Sequence, residues 1–281
     1  MLADYHVHCM FSDDSWYPPE KVCQDAWRLN LDEICFTDHV DYGVKPDVAG
    51  ILEARVLEGA RVVNVDYDAY FPCIEALRDE WAGRLAIKRG LEFGVQTHTI
   101  SQFNALWDAW KDHLDFTLLS IHQVGDLEFW TGEFQEGRTQ EAYNLAYYQE
   151  LYEVATSFDH YSVLAHLDLI KRYDPAGILD FPANRDLVAA TLEHVIATGK
   201  GIELNTSSIR YGLKDSQPAR EILELYRDLG GSIVTLGSDS HSPEHLGAYL
   251  RHFQHLLADV GFEGFCTYDK MVPTLHRWDF A

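Results

Sequence analysis

Cysteine is sparse and scattered in this chain. Its five cysteines (Cys9, Cys23, Cys35, Cys73 and Cys266) form an odd set with no CxxC pair. Nothing there builds a disulfide framework, so a reducing compartment is expected, hence the cytoplasm. Basic residues are short as well: 22 Lys and Arg stand against 45 Asp and Glu, a net charge of −23. A surface of that sign repels phosphate backbones and anionic bilayers, which argues against a nucleic-acid or membrane partner. A small anionic substrate stays open, because bound cations reverse the local field. No basic stretch followed by an apolar one begins the chain, and no apolar run approaches the ~20 residues of a membrane span. Repeats, low-complexity segments and dividing linkers are also missing. One domain over residues 1–281 is therefore expected, a size that α/β barrels commonly reach as a single unit.

What is present is alternation. DYHVH (4–8), EICFTDH (33–39), AIKRGLEF (86–93), FTLLSIH (116–122), SVLAHLD (162–168), GIELNT (201–206) and SIVTLGSD (232–239) read as strands. Segments of helical periodicity lie between them. PEKVCQDAWRLN repeats apolar residues at steps of three and four, AYFPCIEALRDEWAG does so at Tyr70, Ile74, Leu77 and Trp81, and RDLVAATLEHVIATG ends in Gly199, a helix terminator. Strands alternating with helices argue for parallel βα units. The aromatic residues of DAWKDH and AYYQELY fall at helical spacing and are expected in the core. Two connections are long. Residues 40–85 hold one helix and an acidic, irregular stretch, and residues 123–141 are polar, glycine-bearing and aromatic. Loops of that length are usually functional or disordered.

The polar residues concentrate where these strands end. His6 and His8 point the same way from the first strand, because side chains alternate with period two. The following strands end at Asp38 and His39, Glu92, His122, His166, Asn205 and Asp239, with His241 just beyond. In parallel barrels the C-terminal strand ends form the active face. Six histidines and three or four carboxylates exceed what one tetrahedral site uses. Two or three transition-metal ions (zinc, manganese or iron) spaced about 3.5–4 Å apart fit such a donor set. The remaining histidines (His98, His113, His160, His194, His252, His255 and His276) read as structural, and His245 as a neighbour of the site.

The ordered set HVH, TDH, GLEFG, SIH, AHLD and GSDSHSPEHLG resembles the polymerase-and-histidinol-phosphatase (PHP) superfamily. Within it, FSDDS, EICFTDHVDY, GLEFG, HLDLIKRY and ELNTSS resemble the monofunctional histidinol-phosphate phosphatases of histidine biosynthesis. The resemblance spans nearly the whole chain and implies a distorted, TIM-like (β/α)7 barrel with a trinuclear centre. It implies His6, His8, Glu92 and Asp239 on a first ion, Glu92 bridging to a second held by His122 and His166, and His39, His241 and a first-loop group on a third. Many family members have histidine at that last place; FSDDS offers Asp14, with Asp13 a near rival.

The implied reaction is hydrolysis of L-histidinol phosphate, a water or hydroxide between two ions attacking phosphorus. Glu92, Asp239 and His241 are the expected catalytic residues, the last two as alternative proton donors. Arg172, Lys171, Arg210, Asn205 and Ser207 are the expected phosphate contacts, arginine matching phosphate better than lysine. Loop 123–141 is expected to close over the alcohol, with Asp126, Glu128 and Glu133 facing its cation. The same chemistry on a nucleotide or sugar phosphate is the alternative. An exonuclease fits the acidic surface poorly, and an amidohydrolase expects a different order of ligands. A non-enzymatic metal-binding protein would not need the arginines. A monomer or homodimer is expected.

Overall fold

In the computed structural model, residues 1–47, 55–57 and 60–280 are described. Part of the irregular stretch expected within 40–85 lies outside them. Seven strands, β1 (Ala3–Val7), β2 (Glu33–Phe36), β3 (Ala86–Gly94), β4 (Phe116–Ser120), β5 (Val163–Leu164), β6 (Gly201–Asn205) and β7 (Val234–Gly237), neighbour one another in chain order. Every pairing along this path is parallel. A parallel bridge between Val7 and Ser240 brings the two ends of the sheet together, so the ring nearly closes. Buried Asp4 ties the same seam, accepting from Ser238 N at 2.8 Å and Gly247 N at 2.9 Å.

Each strand is followed by a helix: α1 (Pro19–Arg28), α2 (Tyr67–Glu80), α3 (Ile100–Trp110), α4 (Gln140–Ser157), α5 (Arg185–Ala197), α6 (Arg220–Asp228) and α7 (Leu250–Val260). These are the parallel βα units that the alternation implied, closed into the distorted (β/α)7 barrel that the resemblance implied. The starts have local causes. Pro19 presets the first turn of α1, while Asp66 and Thr139 cap α2 and α4 by accepting from Ala69 N and Ala142 N, each at 3.3 Å. Gly199 follows α5 with φ +70°, a conformation glycine adopts at least cost. Buried aliphatic and aromatic side chains between sheet and helices form one contiguous apolar cluster, which includes Tyr147, Tyr148 and Phe93.

Three details depart from the sequence reading. The fifth strand spans only Val163–Leu164, not 162–168. Its chain turns inward at His166, whose φ is +25° and whose N–H donates to Glu203 Oε2 at 2.8 Å rather than to a strand. The second strand breaks at Thr37–Asp38, because the Asp38 carboxylate takes the Cys9 N–H and the Ser12 hydroxyl at 2.8 and 2.7 Å. Finally, an antiparallel hairpin, β8 (Gly264–Asp269) and β9 (Val272–Arg277), follows the last helix. Tyr268 of β8 packs on Phe116 and donates its N–H to the Tyr5 hydroxyl at 2.7 Å.

Candidate metal centre

The barrel geometry decides where the strand-end side chains meet. Glu92, near the end of β3, is 1 % exposed and sits among imidazoles from four directions. Its Oε1 lies 2.8 Å from His166 Nε2 and 3.1 Å from His122 Nε2. Its Oε2 lies 3.0 Å from His39 Nδ1, 3.1 Å from His6 Nε2 and 3.4 Å from His8 Nε2. Asp239, at φ +55°, reaches within 3.7 and 3.8 Å of His6 and His8. His166 and Asp239 thus both hold left-handed backbone, strain that non-glycine residues keep where the surroundings over-determine it.

The histidines are oriented from behind. His6 Nδ1 lies 2.6 Å from Glu203 Oε1, His122 Nδ1 2.7 Å from Asp41 Oδ1, and His8 Nδ1 3.0 Å from Ser12 Oγ. A neutral imidazole that donates one N–H presents a lone pair at its other nitrogen. The buried His6 Nε2, His8 Nε2, His39 Nδ1 and Glu92 Oε2 have no hydrogen-bond partner among the described residues. Lone pairs pointed at a carboxylate oxygen across about 3 Å repel unless a cation lies among them. Among the described residues, three donor groups fit one: His6, His8 and Glu92; Glu92, His122 and His166; and His8, His39 and His241. In a fourth, His39, Asp41 and His122, both Asp41 oxygens are already taken by His122 and Lys45. The donors therefore suit the ions that their chemistry implies.

Without bound ions the protonation tendencies differ from ring to ring. Burial opposes charging His6, but Glu203 and Glu92 outweigh it and raise its pKa well above the ordinary value. Burial and the His241 and His39 imidazoles hold His8 well below it. Burial would raise Glu92 and Asp239, yet His6 and other neighbouring cationic groups keep both well below the usual carboxylate range.

Asp14 Oδ2 lies 3.2 Å from His241 Nε2 and 3.6 Å from His39 Nε2. Its rival Asp13 turns away, 2.9 Å from Lys45 Nζ. The cleft above these groups has a volume of about 130 Å³ and is also lined by Arg172, Tyr173, Tyr211, Glu128 and Trp130. The Arg172 side chain is 4 % exposed and reaches Asp239 Oδ2 at 3.2 Å and Ser207 Oγ at 2.7 Å. The Tyr211 ring lies under both guanidinium groups, 4.1 Å from Arg172 and 5.1 Å from Arg210.

Several expected contacts lie elsewhere. Lys171 is drawn from the cleft into a buried pair with Asp168 and Ser216 O, each at 2.6 Å. Asn205 spends its amide on Glu203 and Asp239, and Ser207 accepts from Arg172, so both brace the site instead of lining it. Arg210 donates to the carbonyls of Ser238 and Asp239 at 2.7 and 2.5 Å. In the 123–141 loop Phe129 and Phe134 are buried, and only Gln123, Glu128 and Trp130 face the cleft. Asp126 binds Gln96 and His98, and Glu133 is exposed outside the cleft. His245 meets Ser242 and does not line it.

Residues 4–207 match the PHP domain. The chain belongs to the PHP domain family. It is similar to histidinol-phosphatase of Lactococcus lactis, 29 % identical over 95 % of this chain and 94 % of that one. It is also similar to a probable histidinol-phosphatase of Thermotoga maritima, 26 % identical over 98 % and 99 % of the two chains. The crystal structure of the Lactococcus lactis histidinol phosphate phosphatase, complexed with zinc, L-histidinol and phosphate, superposes with a TM-score of 0.85, covering 97 % of this chain and 98 % of that one. A putative histidinol phosphatase from Listeria monocytogenes shares the fold at a TM-score of 0.74 and 19 % identity.

Sequence reasoning passed over Glu203, Asp41 and Lys45. The signal for Glu203 was present: it stands two residues before Asn205 on β6 and so shares its inward face. Asp41 stands two residues after His39, a weaker cue in a segment without regular periodicity.

Proposed function

We propose that this chain is a metal-dependent phosphomonoesterase that hydrolyses L-histidinol phosphate to L-histidinol and phosphate, acting in the cytoplasm as one barrel domain, monomeric or dimeric. One observation carries the reading: strand-end donors gathered around Glu92 and the cation Arg172 line a single cleft. A relative of 29 % identity holds zinc, L-histidinol and phosphate.

His6, His8, Glu92 and Asp239 would hold a first ion, Glu92, His122 and His166 a second, and His39, His241 and Asp14 a third. When bound, such ions supply Lewis acidity and offset the charge that develops on a phosphoryl group. The protein's own groups do the rest. Arg172 lines the cleft with both Nη atoms on Asp239 Oδ2 and is held by Ser207, Gln217 and the Tyr211 face, so it would offer a phosphoryl group a fixed positive charge beside the ions. Arg210 braces the backbone of Ser238 and Asp239 from behind. Asp239 stays ionised, since His6, Arg172 and Arg210 outweigh its burial. His241 lines the cleft, but holding the third ion would occupy its Nε2 while its Nδ1 meets the Asp239 carbonyl, so the departing oxygen would take its proton from water. Glu128, at the cleft wall, suits a cationic amino alcohol.

The test is a panel of histidinol phosphate, nucleotides, sugar phosphates and an aryl phosphate with the zinc- or manganese-loaded protein. The expected result is a kcat/KM for histidinol phosphate far above the others. Equal turnover of a nucleotide or sugar phosphate would reassign the substrate, and no turnover of any ester would refute the phosphatase.

A further inference from the structure

Asp41 and Lys45 line the cleft, and the mechanism above gives them no task. They form part of a continuous relay. Asp13 Oδ1 lies 2.9 Å from Lys45 Nζ, Lys45 Nζ 2.9 Å from Asp41 Oδ2, Asp41 Oδ1 2.7 Å from His122 Nδ1, and His122 Nε2 3.1 Å from Glu92 Oε1. Asn64 fixes the same unit, accepting the Asp41 N–H at 2.8 Å and donating to Lys45 O at 2.9 Å.

Two carboxylates compete here for the one N–H of a neutral imidazole. Were the proton on Nε2, it would point at Glu92, and His122 would have no lone pair for a cation at Glu92. The shorter contact, to Asp41, favours the proton on Nδ1 and leaves Nε2 free. Asp41 is not itself available as a ligand, because one oxygen meets the imidazole and the other the ammonium. Gly94, lacking a side chain, leaves room for this arrangement. A Cβ on Gly94 would stand 1.8 Å from Asp41 Oδ1 and 2.9 Å from His122 Nδ1. Lys45 supplies the charge that a second buried carboxylate beside Glu92 requires.

We propose that Asp41 is a positioning residue for metal binding at His122, holding its ring in the Nδ1–H form, and that Lys45 keeps Asp41 in place. This rests on the metal-centre reading above. Carboxylates behind ligating histidines generally change metal affinity by 10- to 100-fold when removed.

The experiment measures zinc per chain, and zinc retention against a chromophoric chelator, on the full-length protein without substrate. In Asp41→Ala, retention of one ion per chain is expected to weaken by about 10- to 100-fold while the others hold as in wild type. Lys45→Met should weaken the same ion, and Lys45→Arg should restore most of the loss. Wild-type retention in Asp41→Ala overturns the proposal. If Asp41→Ala fails to fold, the lysine variants decide: wild-type retention in Lys45→Met, or no rescue by Lys45→Arg, overturns it. A wild-type protein that binds no zinc overturns both this proposal and the metal centre. Normal zinc binding without histidinol phosphate turnover refutes only the substrate.

Discussion

Glu92 Oε1 lies 2.8 Å from His166 Nε2, although the two residues are 74 positions apart in the chain. The other oxygen of the same carboxylate faces His6, His8 and His39. Glu92 therefore joins two sets of donors, and its replacement should uncouple them. Glu92→Gln is expected to lower metal content by at least one ion per chain and phosphatase activity by at least about a hundredfold. Elemental analysis beside kcat measures both, and full metal content with near-normal kcat would remove Glu92 from the centre.

Adjacent residues 171 and 172 should behave oppositely. Arg172→Ala removes charge-assisted hydrogen bonds worth about 1.5–3 kcal/mol, so inhibition by inorganic phosphate should weaken roughly 10- to 150-fold. Lys171→Ala should leave phosphate inhibition unchanged. It instead strands Asp168 in the interior, a loss of about 3–5 kcal/mol of stability. Phosphate inhibition constants and urea melts of both variants check the pair.

The two aspartates of FSDDS should also separate. Asp14→Asn is expected to reduce metal held by His39 and His241, because Asp14 Oδ2 faces both rings. Asp13→Asn should keep those ions, since its carboxylate faces Lys45. Metal content per chain in the two variants, measured side by side, distinguishes them.

Metal uptake should release protons. Burial works against an imidazolium at His122, but Asp41 and Glu92 outweigh it and lift its pKa to about 9 in the metal-free protein. Below that pH the ring carries an extra proton, which an entering cation must displace. Affinity should accordingly rise with pH up to about 9 and fall in acid. Calorimetric titrations of chelator-stripped protein in buffers of different ionisation enthalpy read the proton count. A buffer-independent heat at pH 7 would contradict the assignment.

Much of this was legible in the sequence, for a physical reason. Period-two alternation sends His6 and His8 to one side, and parallel βα order sends the ends of all strands to one mouth. Neither argument needs coordinates. What stayed hidden depends on local backbone. Lys171 and Arg172 are neighbours in a short 3-10 turn, so their side chains diverge, and only the structure tells which one enters the cleft. The inward turn at His166 and the hydrogen bond from His122 to Asp41 have no periodic signature. The β8–β9 hairpin carries no strand-end ligand that would mark it.

The central claim is that imidazoles and carboxylates from separate strands share cations around Glu92. Anomalous diffraction at the zinc edge, on crystals grown with zinc, tests it most directly. The account expects two or three peaks, at least one about 2.0–2.2 Å from a Glu92 oxygen and from histidine nitrogens. A well-ordered protein with no peak touching Glu92 at saturating zinc would contradict it.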